Sequence, residues 1–352
     1  MKIPEGKWYH EANINGVKMK ARRNNDPSEG RWNTFIKPLL PFNKGESRVS
    51  IDLGCNAGLY SRKLSDNGYK VTGVEKDKMF IAHARYWEDN DPKGIKIIEC
   101  DLNEYNIPAS SIVILAQVHY WLTSTQLELL VDKLKKRALY VIVVGRHRRV
   151  DGSVVKGYEK LSGVVSPTGI DALRNTFSEW ELEKTIYGEG INYRHYSVLL
   201  KNKDLAEKDI DDLVLYPPVI KYEGLIPAFN KLIDVVITGE CIKEAKIDYE
   251  RYLTLRRYGQ REFRVKNHIK LIRNIIKNGI KEPLIIGAMV EGKYNENRIW
   301  DGDHRYIIAE RLGIKKLICK LIDEEQAKKN ETERWNEDWT DEIRDKQFKE
   351  KI

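Results

Sequence analysis

Between Arg48 and Val144 the chain alternates short apolar strands with amphipathic helices, and this rhythm constrains its fold more than any single residue does. The pattern predicts strands at Val49–Leu53, Tyr69–Val74, Ile95–Glu99, Ile112–Ala116 and Ala138–Val144. It predicts helices at Leu59–Gly68, Lys78–Asn90 and Ser124–Arg137. Strands separated by helices cannot pair as hairpins. They pair in parallel through crossovers, with helices on both faces of the sheet. A further helix at Asp171–Phe177 and a strand pair, Trp180–Tyr187 and Arg194–Lys201 around Gly188-Glu189-Gly190, add an antiparallel edge. The expected class is α/β: a doubly wound, mostly parallel, seven-stranded sheet.

The junction of the first strand and helix, Asp52-Leu53-Gly54-Cys55-Asn56-Ala57-Gly58, is a ligand loop by composition. Gly54 and Gly58 let the backbone turn sharply, and amides at a helix start face the crevice. A dinucleotide loop reads GxGxxG, with its second glycine clearing space for pyrophosphate. Here Asn56 fills that place, and Asp52 sets a carboxylate where phosphates would be repelled. Both departures suit S-adenosylmethionine, which has no phosphate and carries an ammonium and a sulfonium.

The loop, followed by Gly73-Val74-Glu75-Lys76 and by Cys100-Asp101-Leu102, resembles the class I S-adenosylmethionine-dependent methyltransferases over about residues 30–203. The resemblance implies that Glu75 takes the ribose hydroxyls, with Lys76 beside it. It implies that Asp101 and Leu102 meet the adenine, and that Asp52, Gly54, Cys55, Asn56 and Gly58 hold the methionine end. Gln117, after the fourth strand, joins the cofactor set. Trp32-Asn33-Thr34-Phe35, the run Gly54–Ser61 and His83-Ala84-Arg85-Tyr86 are similar to a narrower group, the tRNA wobble-uridine methyltransferase and carboxymethyltransferase family, which acts on oxygen.

In a doubly wound sheet the reacting group lies at the carboxyl ends of the strands. Gln117-Val118-His119-Tyr120-Trp121 falls there, so His119, whose ordinary pKa suits proton removal, and Tyr120 are the candidate catalytic pair. The alternative is that both simply wall the cofactor pocket. Arg146, Arg148 and Arg149 follow the fifth strand on the same rim and could clamp phosphate or carboxylate on a substrate.

Residues 204–250 read as a bridge between this domain (1–203) and a second unit at 251–323, with a charged helical tail at 324–352. Glu282-Pro283-Leu284 and Asp301-Gly302-Asp303-His304-Arg305 resemble the ParB/sulfiredoxin-like fold, whose motif is usually Asp-Gly-His-His-Arg. The resemblance implies a nucleotide-phosphate turn built on Gly302, His304 and Arg305, with Asp301 and Glu282 as carboxylates for phosphoryl transfer. Asp303 departs from the motif and adds negative charge beside that turn.

Four cysteines in 352 residues, widely spaced, argue against a disulfide scaffold or a zinc site. No apolar run reaches the ~20 residues that span a bilayer, and the first residues have no secretory pattern, so a cytoplasmic protein is expected. The net charge of +8 permits a polyanionic partner. The expected activity is methyl transfer from S-adenosylmethionine to an oxygen of an anionic acceptor: RNA, a nucleotide, or a phosphorylated sugar or glycan. The alternatives are a nucleic-acid-associated ParB-like nucleotide-binding switch and a bifunctional kinase–methyltransferase.

Overall fold

The structure is a computed structural model that describes residues 3–6, 8–21, 28–42, 48–146, 170–188, 195–215, 225–239, 245–246, 249, 261–290 and 292–336. It divides into two compact units, Met1–Lys203 and Asp204–Ile352.

The first unit opens with a small hairpin, β1 (Ala12–Ile14) and β2 (Val17–Met19), and a single helical turn, α1 (Ser28–Arg31). The hairpin lay outside the expected elements, because three-residue strands carry too little alternation to be read. A widened helical turn, Trp32–Ile36, then runs into a tighter one, Lys37–Leu39. Pro38 has no N–H to continue a helical ladder.

Next come β3 (Arg48–Leu53), helix α2 (Leu59–Asp66), β4 (Tyr69–Glu75), helix α3 (Lys78–Asn90), β5 (Lys96–Glu99), β6 (Ser110–Ala116), helix α4 (Ser124–Arg137) and β7 (Ala138–Arg146). Helix α4 starts on a capping box, Thr123 with Gln126, and ends in Lys135, Lys136 and Arg137. Each end thus has what the backbone dipole favours. Helix α5 (Ile170–Thr176) and the strands β8 (Glu181–Tyr187) and β9 (His195–Lys201) complete the unit.

The sheet order is β5-β4-β3-β6-β7-β9-β8, with β9 antiparallel to both its neighbours and the other pairings parallel. This is a doubly wound, Rossmann-like sheet of seven mostly parallel strands. Strand periodicity divides its core in two. Ile51, Leu53, Val113, Leu115, Val141 and Val143 pack against α4 and α5 on one face. Ile112, Ile114, Ile142 and Val144 meet Trp32, Phe35, Ile36 and Leu64 on the other. A sheet buried on both sides has no polar alternation, which is why its central strands read as continuous apolar runs. The order reverses between β3 and β6, and the crevice at a parallel sheet's binding end opens there.

A smaller cluster fixes the N-terminal segment to this scaffold. Trp8, Ala12, Ile14 and Met19 pack with Ala57, Leu59, Tyr86 and Trp87. Trp8 stacks on His83, ring centres 4.6 Å apart.

In the second unit the sheet order is β10 (Leu205–Asp209), β13 (Lys316–Leu321), β11 (Leu284–Val290), β12 (Lys293–Asp301). The helices are Leu225–Thr238, Arg261–Asn278, Asp303–Arg311 and Glu324–Asn336. This corrects the expected bridge. Residues 205–209 are an edge strand paired with β13, and Phe229, Leu232 and Ile233 of the first helix are buried in the unit's core. The charged run Leu205–Asp209 conceals a strand because only one of its faces is covered. No helix among the described residues is long and apolar enough to cross a membrane.

Candidate functional site: a crevice at the switch point

Strand β3 ends at Leu53 and the chain folds back over β4, so that the amides of Gly54 and Cys55 both donate to the Val74 carbonyl, at 2.8 and 3.1 Å. Gly54 has φ +75°, and a Cβ there would stand 2.5 Å from Val118 Cγ2. Glycine is therefore required twice over, by conformation and by space. Asn56 is also left-handed, φ +50°, and its side-chain amide donates to the Gly54 carbonyl at 3.0 Å. Asparagine tolerates this conformation better than most residues. Gly58, φ +85°, then launches α2.

Glu75, at the tip of β4, accepts three backbone amides: Asn56 N at 3.0 Å on Oε2, and Lys76 N and Asp77 N at 2.8 and 2.9 Å on Oε1. The carboxylate is fixed in direction before any ligand arrives. Asp101, beyond β5, accepts from the Asn103 amide at 3.0 Å and from Lys76 Nζ at 3.1 Å. The Asn103 amide, then the nearby lysine, hold its pKa below the usual carboxylate value.

These residues line a cavity of about 360 Å³. Gly54, Cys55 and Asn56 form its loop wall, and Glu75, Lys76, Asp101 and Leu102 come from the tips of β4 and β5. Ala116, Gln117 and Val118 continue it beyond β6, with Trp121, Leu122 and Val144. Gln117 sits at φ +61°, so two strained non-glycine residues, Asn56 and Gln117, flank one crevice.

Sequence reasoning missed the cavity's remaining wall: Tyr9, His10 and Arg31 from the N-terminal segment, with Tyr60 of α2 and Phe80 of α3. Tyr9 lies edge-on to Phe80 at 5.4 Å, and His10 Nδ1 is 2.7 Å from Ser28 Oγ. The available signal was the aromatic run Trp8-Tyr9-His10 before the turn-rich stretch, but nothing local says which surface it covers.

Three expectations need correction. His119 does not line the cavity; its side chain is fully buried, and burial pulls its pKa down to about 4. It occupies a tight turn, His119–Trp121, with the ring turned into the protein, so it is not offered to an acceptor as a base. Asp52 is also buried behind the loop, its Oδ2 accepting from Ser61 Oγ at 2.7 Å and its Oδ1 without a partner. Burial raises its pKa to about 6, so it braces the loop from behind and does not contact a ligand. Gly58 shapes the loop without lining the cavity. The Tyr120 and Arg146 side chains, and all of Arg148 and Arg149, lie outside the described residues. The Arg146 backbone ends β7, two residues past cavity-lining Val144.

In the second unit Gly302, φ +118°, makes the turn from β12 into helix Asp303–Arg311. Arg305 is held internally: it donates to the carbonyls of Glu282 and Pro283, at 2.8 and 2.9 Å, and to Asp301 Oδ2 at 3.1 Å. His304 stacks on buried His268, ring centres 4.3 Å apart, and meets Phe229 edge-on. The expected phosphate turn thus spends its arginine and histidine on the fold. Among the described residues no group of three His, Cys, Asp or Glu is placed to hold a metal ion.

The crevice fits S-adenosylmethionine chemically: a fixed carboxylate for a diol, and a loop that Gly54 keeps clear beside Val118 while Asn56 fills the place a pyrophosphate would need. When bound, the cofactor supplies an electrophilic methyl group. Residues 51–137 match a family model described as a methyltransferase domain. Solved structures that the chain resembles include the PH0226 protein of Pyrococcus horikoshii, at 17% identity and TM-score 0.42, covering 51% of this chain and 93% of that one. An S-adenosylmethionine-dependent methyltransferase of Methanosarcina mazei matches at 14% and 0.40, covering 48% and 98%. The N-methyltransferase NodS of Bradyrhizobium japonicum, in complex with S-adenosyl-l-homocysteine, matches at 15% and 0.39, covering 51% and 93%. No curated protein matches the chain. Loop, spaced carboxylate, strand order and family match converge: the chain carries a class I S-adenosylmethionine-dependent methyltransferase domain, and it is a methyltransferase with S-adenosylmethionine as its cofactor.

Proposed function

We propose that the enzyme methylates an oxygen of an anionic acceptor, such as RNA, a nucleotide or a phosphorylated sugar. Within the site, Glu75 and Lys76 orient the ribose, Asp101 and Leu102 the adenine, and Gly54, Cys55 and Asn56 the methionine end, with Gln117 beside them. The observation carrying the acceptor's charge is that β7 leads past cavity-lining Val144 into Arg146-His147-Arg148-Arg149. Three arginines in the sequence at and directly after the end of a strand that lines a methyl-transfer crevice suit phosphate recognition. An oxygen nucleophile must lose its proton, and with His119 buried that role falls to His10, whose ring lines the cavity. The resemblance to the wobble-uridine group, through Gly54–Ser61 and Trp32–Phe35, supports the choice of oxygen and of an RNA acceptor.

The test is incubation of the protein with methyl-labelled S-adenosylmethionine and fractionated extract. Label in RNA or phosphorylated metabolites, stable to base as an ether is, supports the proposal; label confined to amines overturns it.

For the second unit, the reading with support is a ParB/sulfiredoxin-like scaffold without phosphoryl transfer. Its supports are the Gly302 turn and the Asp301–Arg305 pair at 3.1 Å. Neither the nucleotide switch nor the kinase gains from this arrangement, since Arg305 and Asp301 satisfy each other. Phosphate transfer from labelled ATP that disappears in Asp301→Asn would restore the bifunctional enzyme.

A further inference from the structure

The helix Arg261–Asn278 runs for 18 residues along the second unit, and its faces meet different surroundings. Val265, Ile269, Ile272 and Ile275 are buried in the unit's core. On the outer face Lys266, Lys270, Arg273 and Lys277 are exposed. Steps of four, three and four residues keep these cations within about 60° of arc and string them along about 16 Å of helix.

The helix itself supplies nothing to offset that row. From Phe263 to Asn278 the sequence has no Asp or Glu. Lys270, Arg273 and Lys277 form no ion pair among the described residues. Like charges three and four residues apart repel, and each such pair weakens a helix. Three of these pairs follow one another here: 266 with 270, 270 with 273, and 273 with 277. Elsewhere the same unit pairs its surface cations, Lys208 with Glu296, Arg311 with Asp234 and Lys328 with Glu324. The row is therefore a departure from how this surface is otherwise built, and its counter-charge is expected from a partner.

The form of the row indicates the partner's chemistry. One carboxylate or phosphate on a small molecule meets one or two cations, whereas four cations about 4.5–6 Å apart along an axis suit a chain of phosphates. Apart from Ile276, 40% exposed at the edge of the row, the helix has its apolar side chains committed to the core. It thus has no broad apolar face to sink into a bilayer. No aromatic side chain stands in the row to stack on bases, so contact is with backbone and carries no sequence preference.

We infer that the helix Arg261–Asn278 is a docking surface for the phosphodiester backbone of RNA. The choice of RNA among polyanions rests on the acceptor reading above; the row itself does not. This gives the second unit work that needs neither bound nucleotide nor phosphoryl transfer: it adds electrostatic affinity for the acceptor to the chain that methylates it.

Fluorescence anisotropy of a labelled, mixed-sequence RNA hairpin, titrated with the full-length protein in the absence of cofactor, tests this. The wild type should bind the hairpin at least as tightly as a DNA hairpin of the same sequence, and affinity should fall steeply as salt rises. Joint substitution Lys270→Gln, Arg273→Gln and Lys277→Gln should weaken binding by at least about 10-fold. It should also flatten the slope of log affinity against log salt by about 2–3, as expected for three lost phosphate contacts. Removing the same number of charges through Lys320→Gln, Lys328→Gln and Lys329→Gln, at exposed lysines of the same unit, should leave affinity and slope nearly unchanged. Should the first triple variant fail to fold by circular dichroism, Arg273→Gln alone serves, with a slope lower by about 1. The inference is overturned by absence of RNA binding in the folded wild type, by equal losses in the two triple variants, or by a marked preference for DNA. Capture of phosphatidylserine vesicles in place of the hairpin also overturns it. The acceptor reading is decided separately, by where the methyl label goes.

Discussion

Glu75 and Asp52 are both carboxylates on strand tips or ends, yet their surroundings give them opposite work. Glu75 is met by three amides and faces the cavity. Glu75→Gln replaces one acceptor oxygen with a donor that opposes one of those amides. We expect at least about a 10-fold loss of S-adenosylhomocysteine affinity by calorimetry, equivalent to ~1.4 kcal/mol, with some loss of melting temperature. Asp52 instead sits in the dark behind the loop with a pKa of about 6. An unfolded aspartate ionises near 3.8. As pH rises from about 4 to about 6 the unfolded chain sheds this proton while the folded chain keeps it, so the folded state loses stability across that window. Two units of pKa correspond to about 3 kcal/mol at most. Asp52→Asn should remove this dependence, making the variant more stable than wild type at pH 7.5 but not at pH 4, as read by urea denaturation. A stability difference between wild type and Asp52→Asn that stays the same at pH 4 and pH 7.5 would show that Asp52 is ionised in the fold.

At the scale of elements, the helices Lys78–Asn90 and Ser124–Arg137 were legible to the residue and the central strands to within one or two residues of their ends, because buried parallel strands and capped amphipathic helices announce themselves locally. So were the loop and Glu75, whose spacing follows from one βα unit. The unreadable elements are those fixed by distant partners. Strand β10 is highly charged, and only its pairing with residues 316–320 makes it a strand. His119 looked catalytic by chain position, but a tight turn directs its ring inward. The N-terminal segment gave the least away: its strands are three residues long, and its place depends on Trp8 meeting Tyr86 and Trp87. Trp8→Ala removes the centre of that contact. It should cost roughly 3 kcal/mol and weaken S-adenosylhomocysteine binding, because Tyr9 and His10 lose their anchor; unchanged binding in the variant would separate the segment from the site.

For the molecule as a whole, the division at Lys203 and Asp204 separates two hydrophobic cores. A fragment of residues 1–203 should fold cooperatively and bind S-adenosylhomocysteine, since all residues lining the cavity lie within it. A fragment beginning at 250 should not fold, because it lacks β10 and the helix Leu225–Thr238; one beginning at 204 should. Circular dichroism and calorimetry on the three fragments decide this, and a folded 250–352 fragment would return residues 204–250 to the status of a connector.

The anchoring of Trp8 on His83 also bears on how the protein comes into being. The residues around Trp8 are synthesised before their platform on α3 exists, so the contact they make waits for that helix. Assembly of the sheet must therefore run ahead, leaving the crevice roofless for an interval. In a refolding time course, competence to capture S-adenosylhomocysteine should lag behind the recovery of helical signal, and ligand added early should shorten that lag.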